Sequence, residues 1–237
     1  MDNSIKDLLI ERASQYNDLS YFSEDPIIFP REFHKRFQES MVCLADVEIS
    51  AIFASHLAWG RRASIVKDCT KLFDFMEWKP FDYINSEDYR DDDTSLHRTI
   101  KWSEIARICR NLKEAYSKTD SLEGWTNSKI RTEIFGAKDD KSAPNKKINM
   151  MKRWMVRNDG IVDLGLWTKL NPSELLIPLD VHVYNVAREL ELTTRSAKNY
   201  KTVVDITDKL KEIFPDDPCL GDFALFGYGV SKNLKDA

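Results

Sequence analysis

Apolar residues recur three or four positions apart along almost the whole chain, which is the spacing of one face of an α-helix. No stretch shows the sustained alternation of apolar and polar residues that is typical of a half-buried strand. Ile49, Ile52 and Phe53 keep one helical period, and Ile65 begins another after Gly60. The pattern therefore predicts an all-α fold in which two core helices are hinged near Gly60.

Two polar segments interrupt the helical pattern. Residues 85–98 carry a run of acids and are predicted to form a solvated surface loop. Helices are predicted around residues 103–118 and 121–135, and the polar sequence GAKDDKSAPN at 136–145 separates them from a basic helix near 145–158. The break near 136–145 is expected to divide the chain into two helical lobes.

The composition is that of a globular protein and excludes several classes. A chain of 237 residues with 42% hydrophobic content can bury a sizeable core. No run approaches the roughly 20 apolar residues of a membrane span, and the charged N-terminal stretch lacks the apolar region of a signal peptide. A cytoplasmic protein without membrane contacts is expected, with a monomer favoured. The formal net charge of −4 means that any nucleic-acid contact has to come from a local basic face.

No metal and no cofactor are expected. The four cysteines lie far apart in sequence, without the spacing of a zinc or iron–sulfur site, and are predicted to be reduced core thiols. The four histidines are not paired at metal-ligand spacing, and neither a glycine-rich nucleotide loop nor an HExxH motif occurs. Nucleotide-binding folds and zinc hydrolases are therefore disfavoured.

The stretch from Lys141 to Arg157 differs from the acidic balance of the chain, because it holds six basic residues and no acid. Such a run is commonly the solvated face of a helix. The alternative is an anionic partner, because lysine and arginine collected on one surface supply phosphate contacts. On that interpretation Lys152 and Arg153 are candidate phosphate contacts.

Asp180 follows a proline and an apolar run and opens a helical pattern in IPLDVHVYNVAREL. As an N-cap it would accept backbone N–H bonds from the turn at Val183 and contribute about 1 kcal/mol to stability. A carboxylate held ionised at a helix N-terminus is also aimed rigidly at whatever lies above it. Capping and a chemical role are therefore compatible. His182 is a candidate substrate contact, with a structural hydrogen bond at the helix start as the alternative.

Several stretches resemble an uncharacterised bacterial family that has a domain of unknown function. They are DPIIFPREF, EISAIFASHLAWGRRASI, KKINMMKRWMVRNDGIVDLGLW, LLIPLDVHVYNVARELEL and DFALFGYGV, and they cover most of the chain. That family in turn resembles the helix-hairpin-helix (HhH-GPD) DNA glycosylase superfamily, closest in pattern to archaeal 8-oxoguanine glycosylases. The resemblance implies a two-lobed, DNA-glycosylase-like helical fold with a central cleft, formed by residues 1–237 as a single domain.

The resemblance also nominates catalytic residues. PLDVHVYNVAREL is similar to the superfamily segment that carries an essential aspartate, which maps to Asp180. NKKINMM looks like the helix start that carries the nucleophilic lysine of lyase-type members, which nominates Lys146 or Lys147. The glycine hairpin that usually precedes this lysine is absent here, and Asn185 stands where the wider pattern usually has a basic residue.

Further contacts are implied for the nucleic acid. Trp59 lies where the superfamily places a residue that wedges into the duplex after base flipping, with Arg61 and Arg62 beside it for phosphates. Buried packing is the alternative for Trp59. Trp154 is a candidate for stacking on an extruded base, although an aromatic residue at helical spacing is more often part of the core.

These residues have the chemistry that base excision needs. Breaking an N-glycosidic bond generates an oxocarbenium-like sugar, which a carboxylate stabilises, and an amine captures C1′ as a Schiff base. The expected function is a DNA repair glycosylase, with or without AP-lyase activity, that excises a damaged, oxidised purine from double-stranded DNA. The alternatives are a non-catalytic nucleic-acid-binding or scaffold protein on the same fold, and an enzyme that acts on RNA or a free nucleoside.

Overall fold

The computed structural model describes residues 2–233, which are mostly helical, so the predicted all-α fold is confirmed. Short 3₁₀ turns occur at Leu19–Phe22 and Pro172–Glu174, and a π-helical turn, Ile130–Ile134, follows α7. The remaining elements are α1 Asn3–Tyr16, α2 Ile28–Gln38, α3 Leu44–Leu57, α4 Arg62–Phe75, α5 Pro80–Ser86, β1 Ser95–His97, β2 Ile100–Lys101, α6 Trp102–Tyr116, α7 Asn127–Lys129, α8 Lys146–Val156, α9 Val181–Glu189, α10 Tyr200–Lys211 and α11 Leu220–Asn233.

The chain divides into two compact units. The terminal unit consists of the residues up to Tyr21 together with those from Asp140 onward, and the inserted unit is Phe22–Asp139. The second boundary falls within the polar segment 136–145. That the chain forms a single glycosylase-like domain stays a prediction.

Helix α3 is the centre of the inserted unit, and it is buried along almost its whole length. Its sequence is apolar on every side, which is typical of a helix surrounded by others. It packs against α2, α4 and α5. The carboxylate of Asp46 on this helix is buried but accepts backbone N–H bonds from Cys43, at 3.0 Å, and Phe81, at 2.9 Å. Burial of this charge is thus compensated by hydrogen bonds.

In the terminal unit, helix α11 packs against α1 and α9. A Cβ atom at Gly227 would collide with the ring of Tyr16, so glycine allows α11 to approach α1 closely. Helix α8 adds Ile148, Met151 and Trp154 to the buried apolar set of this unit.

Three sequence-based expectations differ from the structure. Residues 85–98, predicted to form a solvated surface loop, include strand β1, in which Leu96 and His97 are buried. The helix predicted over 121–135 begins only at Asn127, because Gly124 adopts a left-handed conformation (φ +83°) and Thr126 caps the helix through the backbone N–H of Lys129. Of the four cysteines predicted to be core thiols, Cys43 is exposed at the N-terminus of α3. The other three are buried. No helix within residues 2–233 is long and apolar enough to cross a bilayer.

Candidate functional site

Lys146 and Lys147 are the first two residues of α8. The chain enters this helix through Asn145, which has a left-handed backbone conformation with φ of +48°. Both lysine side chains are half-buried. This position agrees with the helix that the sequence predicted near 145–158.

Asp180 is the N-cap of α9, as predicted. Its Oδ1 atom accepts the backbone N–H of Val183 at 2.8 Å, and its backbone carbonyl accepts the N–H of Tyr184 at 3.0 Å. The residue itself is half-buried, so the carboxylate is fixed in orientation and still in contact with solvent. The capping bond leaves its second oxygen, Oδ2, for another interaction.

Asn149 connects the start of α8 to the segment that leads into Asp180. Its buried Nδ2 atom donates to the carbonyl of Pro144 at 3.1 Å and to the carbonyl of Ile177 at 3.3 Å. Residues three apart on a helix share a face, so Lys146 lies one turn before Asn149 on the side of α8 that meets residue 177. Lys147 is rotated by about 100° from that side.

Arg153 extends the same side of α8 but faces inward. Its Nη1 atom lies 2.6 Å from Oδ2 of Asp222, and its Nε atom lies 3.4 Å from Oδ1 of Asp163. Only 5% of Arg153 is exposed, so the exposed basic surface expected from the sequence does not include it. A DNA phosphate would have to displace a carboxylate to reach this guanidinium.

Asp222 brings the ion pair of Arg153 into the electrostatic environment of Asp180. Burial raises the pKa of Asp222 to about 6, Arg153 opposes that rise, and the neighbouring charge of Asp180 adds to it. The charge of Asp180 therefore acts on Asp222. Asp222 is a buried partner of Arg153 that sequence reasoning missed.

Lys152 differs from the other lysines of α8. Its side chain is half-buried, and burial lowers the pKa of Lys152 to about 8. No hydrogen bond or ion pair joins its ammonium group to another residue within 2–233. At pH 7 a lysine with a pKa of about 8 is still mostly protonated, but about a tenth of it is the neutral amine that attacks carbon, far more than for an ordinary lysine.

Two other candidates of the terminal unit lie at opposite extremes of exposure. Trp154 is completely buried, so its ring belongs to the core, and its indole nitrogen has no hydrogen-bond partner in the described part of the chain. His182 is exposed in the first turn of α9. The structural hydrogen bond considered for His182 does not occur with any residue that the structure describes.

Trp59, Arg61 and Arg62 belong to the inserted unit. Trp59 is half-buried in the turn after α3, and the guanidinium carbon of Arg98 lies 4.3 Å from the centre of its ring. Arg61 and Arg62 are exposed at the start of α4. Gly60 keeps the turn tight with φ of +107°, and a Cβ atom there would lie 2.8 Å from Nη1 of Arg98.

A buried histidine, which the sequence did not single out, fixes the turn at Trp59. Nε2 of His97 lies 2.9 Å from the carbonyl oxygen of Trp59, and its Nδ1 lies 2.7 Å from Oδ2 of Asp68. The two rings, of His97 and Trp59, meet edge to face at 6.0 Å. The position of the Trp59 indole is therefore set by its neighbours on the β1–β2 hairpin.

Comparison with known families assigns the chain. The profile of DUF2400, a protein family of unknown function, matches residues 25–134 and 125–231. The chain belongs to the DUF2400 family. This confirms the resemblance to a family with a domain of unknown function, and the match includes α8, Asp180 and the turn at Trp59. No curated protein and no solved structure matches the chain.

Proposed function

We propose that this member of the DUF2400 family is a DNA repair glycosylase that excises a damaged purine, with Asp180 and an amine at the start of α8 as its catalytic pair. The observation that carries the proposal is the contact of Asn149 with the carbonyl of Ile177. That contact ties the first turn of α8 to the segment that ends at Asp180. The proposal assigns one carboxylate and one lysine of these two helix starts to the same reaction.

The chemistry follows from the charges that develop during base loss. As the N-glycosidic bond breaks, its electron pair leaves with the base, and the sugar acquires positive charge at C1′ and O4′. The ionised Asp180 stabilises that charge. A neutral lysine amine then forms a bond to C1′, the C1′–O4′ bond opens, and one amine proton passes to O4′, which leaves a protonated Schiff base.

The face of α8 favours Lys146 over Lys147 as the amine. Lys146 shares the side of the helix that carries Asn149 and Arg153, and Arg153 pairs with Asp222, on which the charge of Asp180 acts. Lys152 is the rival, because its lowered pKa supplies the neutral amine that the step requires. Trp59, Arg61 and Arg62 are the proposed duplex contacts of the inserted unit.

An oligonucleotide that carries 8-oxoguanine tests the proposal. The protein should release the base, and borohydride should trap a covalent adduct by reducing the Schiff base. Lys146→Gln should abolish trapping, whereas Lys147→Gln and Lys152→Gln serve as matched controls on the same helix and should keep it. Loss of the adduct only in one of the controls would move the nucleophile to that residue.

Asp180→Asn separates the role of the charge from the role of the cap. Asparagine caps helices about as well as aspartate, so the free energy of unfolding should change by less than about 0.5 kcal/mol. Base release should slow by about a hundredfold or more, because the stabilising charge is lost. An unaltered rate would exclude Asp180 from the chemistry.

The same assays address the alternative functions. If oxidised, deaminated and alkylated bases all stay in place while the protein binds DNA, a non-catalytic nucleic-acid-binding or scaffold role replaces the enzyme. Release of base from RNA or from a free nucleoside, but not from duplex DNA, would instead change the substrate.

A further inference from the structure

Two short segments of the terminal unit are rich in basic residues and contain no acid. Residues 141–147 (KSAPNKK) and residues 195–201 (RSAKNYK) each contain three basic residues and no acid, in a chain whose net charge is −4. Only the first belongs to the stretch from Lys141 to Arg157. The second lies about 50 residues later in sequence, and the residues on either side of it do not form a basic run.

The fold joins these two segments. The backbone N–H of Tyr200 donates to the carbonyl of Ser142 at 2.8 Å. Lys141 precedes one bonded residue, and Lys201 follows the other. Because consecutive Cα atoms are about 3.8 Å apart, the backbones of these two lysines lie on the order of 10 Å from each other. Lys198 completes the group and is held by Tyr184, whose ring centre is 5.2 Å from its Nζ atom.

Within the described part of the chain, no acid lies at salt-bridge distance from these three lysines. Lys141, Lys198 and Lys201 are exposed, and none forms an ion pair with another residue in 2–233. The nearest acid in sequence is Asp140, whose Oδ1 accepts both the backbone N–H and the hydroxyl of Ser142. Arg195 is already paired with Asp205. Three exposed cations on adjoining segments make this part of the surface rich in positive charge.

The group also adjoins the proposed catalytic helices. The hydroxyl of Tyr184 donates to the carbonyls of Arg195 and Ser196, at 3.0 and 2.8 Å, so the second basic segment is bonded to α9 one turn after Asp180. The first basic segment runs directly into Lys146 and Lys147. The positive surface thus lies beside both helix starts of the candidate site.

We infer that Lys141, Lys198 and Lys201 form the surface on which the phosphate backbone of duplex DNA docks. The inference takes its partner from the proposed function. It supplies the backbone anchor that the missing glycine hairpin would otherwise provide, and it replaces Arg153, whose guanidinium is buried. Lysine ammonium groups suit this task because they contact phosphates as point charges without reading sequence.

Charge removal on this surface provides the test. Lys198→Gln with Lys201→Gln should weaken binding of a fluorescent 20-base-pair duplex by about tenfold at 100 mM salt. It should also lower the slope of log K against log salt by about 1.8, because two phosphate contacts are lost. The matched control, Lys6→Gln with Lys67→Gln, removes the same charge from two exposed lysines elsewhere and should leave both quantities unchanged. Thermal melting confirms that each variant is folded.

The outcomes separate this surface from the glycosylase. Equal affinity and slope for the wild-type protein and the Lys198/Lys201 variant would overturn the surface, even if base release were observed. A complete lack of duplex binding by the wild-type protein would also overturn it. The predicted losses in a protein that releases no base would support the surface and remove the glycosylase. Tighter binding of single-stranded RNA with the same dependence on these lysines would overturn duplex DNA as the partner.

Discussion

Asp163 in the terminal unit and Glu48 in the inserted unit are both buried carboxylates, but different groups surround them. Asp163 is clamped by two guanidiniums, with Oδ2 2.5 Å from Nη1 of Arg157 and Oδ1 3.4 Å from Nε of Arg153. Glu48 accepts hydrogen bonds from the hydroxyl of Tyr116 at 2.7 Å, the hydroxyl of Ser121 at 2.5 Å and the backbone N–H of Leu122 at 3.0 Å.

The difference predicts different tolerance to substitution. In the terminal unit, several charged groups are buried together. Burial raises the pKa of Asp163 even though the guanidiniums of Arg153 and Arg157 oppose the rise. Removing one member of such a cluster leaves buried charges without compensation. The three donors named for Glu48 are neutral groups, and the cost of leaving such a donor without its acceptor is smaller. The ionic cluster should therefore be the more fragile of the two.

Arg157→Met should produce the largest loss of stability. The guanidinium of Arg157 contacts Asp159, Asp163 and Asp217, at 2.9, 2.5 and 2.8 Å, so three carboxylates would lose this counter-ion, although Asp163 would keep Arg153. The free energy of unfolding in urea should fall by about 3–5 kcal/mol. Arg62→Met is the matched control, because Arg62 is exposed and 3.9 Å from Asp25, and it should cost less than about 0.5 kcal/mol. A loss below about 1 kcal/mol for Arg157→Met would contradict the comparison.

Glu48→Gln should have an intermediate effect. The amide keeps one acceptor oxygen for the backbone N–H of Leu122, and its NH₂ group then faces the Ser121 hydroxyl, which has to rotate to accept from it. The free energy of unfolding should fall by about 1–2 kcal/mol. If the urea midpoint shifts as far as it does for Arg157→Met, losing a hydrogen bond to neutral donors costs as much as losing a counter-ion. The distinction between the two units then fails.

Lys152→Met should have the smallest effect, and one of opposite sign. Burial lowers the pKa of Lys152 to about 8 in the folded protein, below its value of about 10.4 in an unfolded chain. The unfolded state therefore binds more protons between these values, and the wild-type protein gains stability as the pH rises from 8 to 10. At pH 7 the methionine variant should be more stable by about 1 kcal/mol, after discounting for partial exposure.

That gain should be fully present below pH 8 and disappear as the pH approaches 10. Urea unfolding of both proteins at pH 7, 8, 9 and 10 measures it, with Lys6→Met as the exposed control that should show no such trend. A gain that stays constant up to pH 10 would show that packing, and not the loss of a desolvated charge, stabilises the variant.

Local features of the candidate site were predictable from sequence, because they depend on residues a few positions apart. The cap at Asp180 needs only the N–H of Val183, three residues later, and the basic helix near 145–158 corresponds to α8. The start of the helix expected from residue 121 was wrong, because the pattern of apolar residues does not reveal that Gly124 is left-handed. Elements are thus better predicted than their ends.

The sequence did not reveal which cations of the basic stretch are buried and which are exposed, because burial depends partly on residues far away in the chain. Arg153 and Arg157 stand in the same run as Lys141 and Lys146, and nothing in that run distinguishes buried from exposed cations. Asp159 and Asp163 follow Arg157 by two and six residues, but each arginine also pairs with a distant acid, with Asp222 69 residues from Arg153 and Asp217 60 residues from Arg157. Likewise, the bond between Tyr200 and Ser142, 58 residues apart, brings the second basic segment to the first.

The packing of α1 against α11 also sets an order of events during synthesis. Tyr16 lies against Gly227, yet 211 residues separate them in the chain. At a translation rate of roughly 5–20 residues per second, α1 waits on the order of 10–40 s for its partner to leave the ribosome. The inserted unit, Phe22–Asp139, is complete well before then. Nascent chains should therefore hold a formed inserted unit while α1 is still without α11, and in that interval the apolar side of α1 is a target for chaperones.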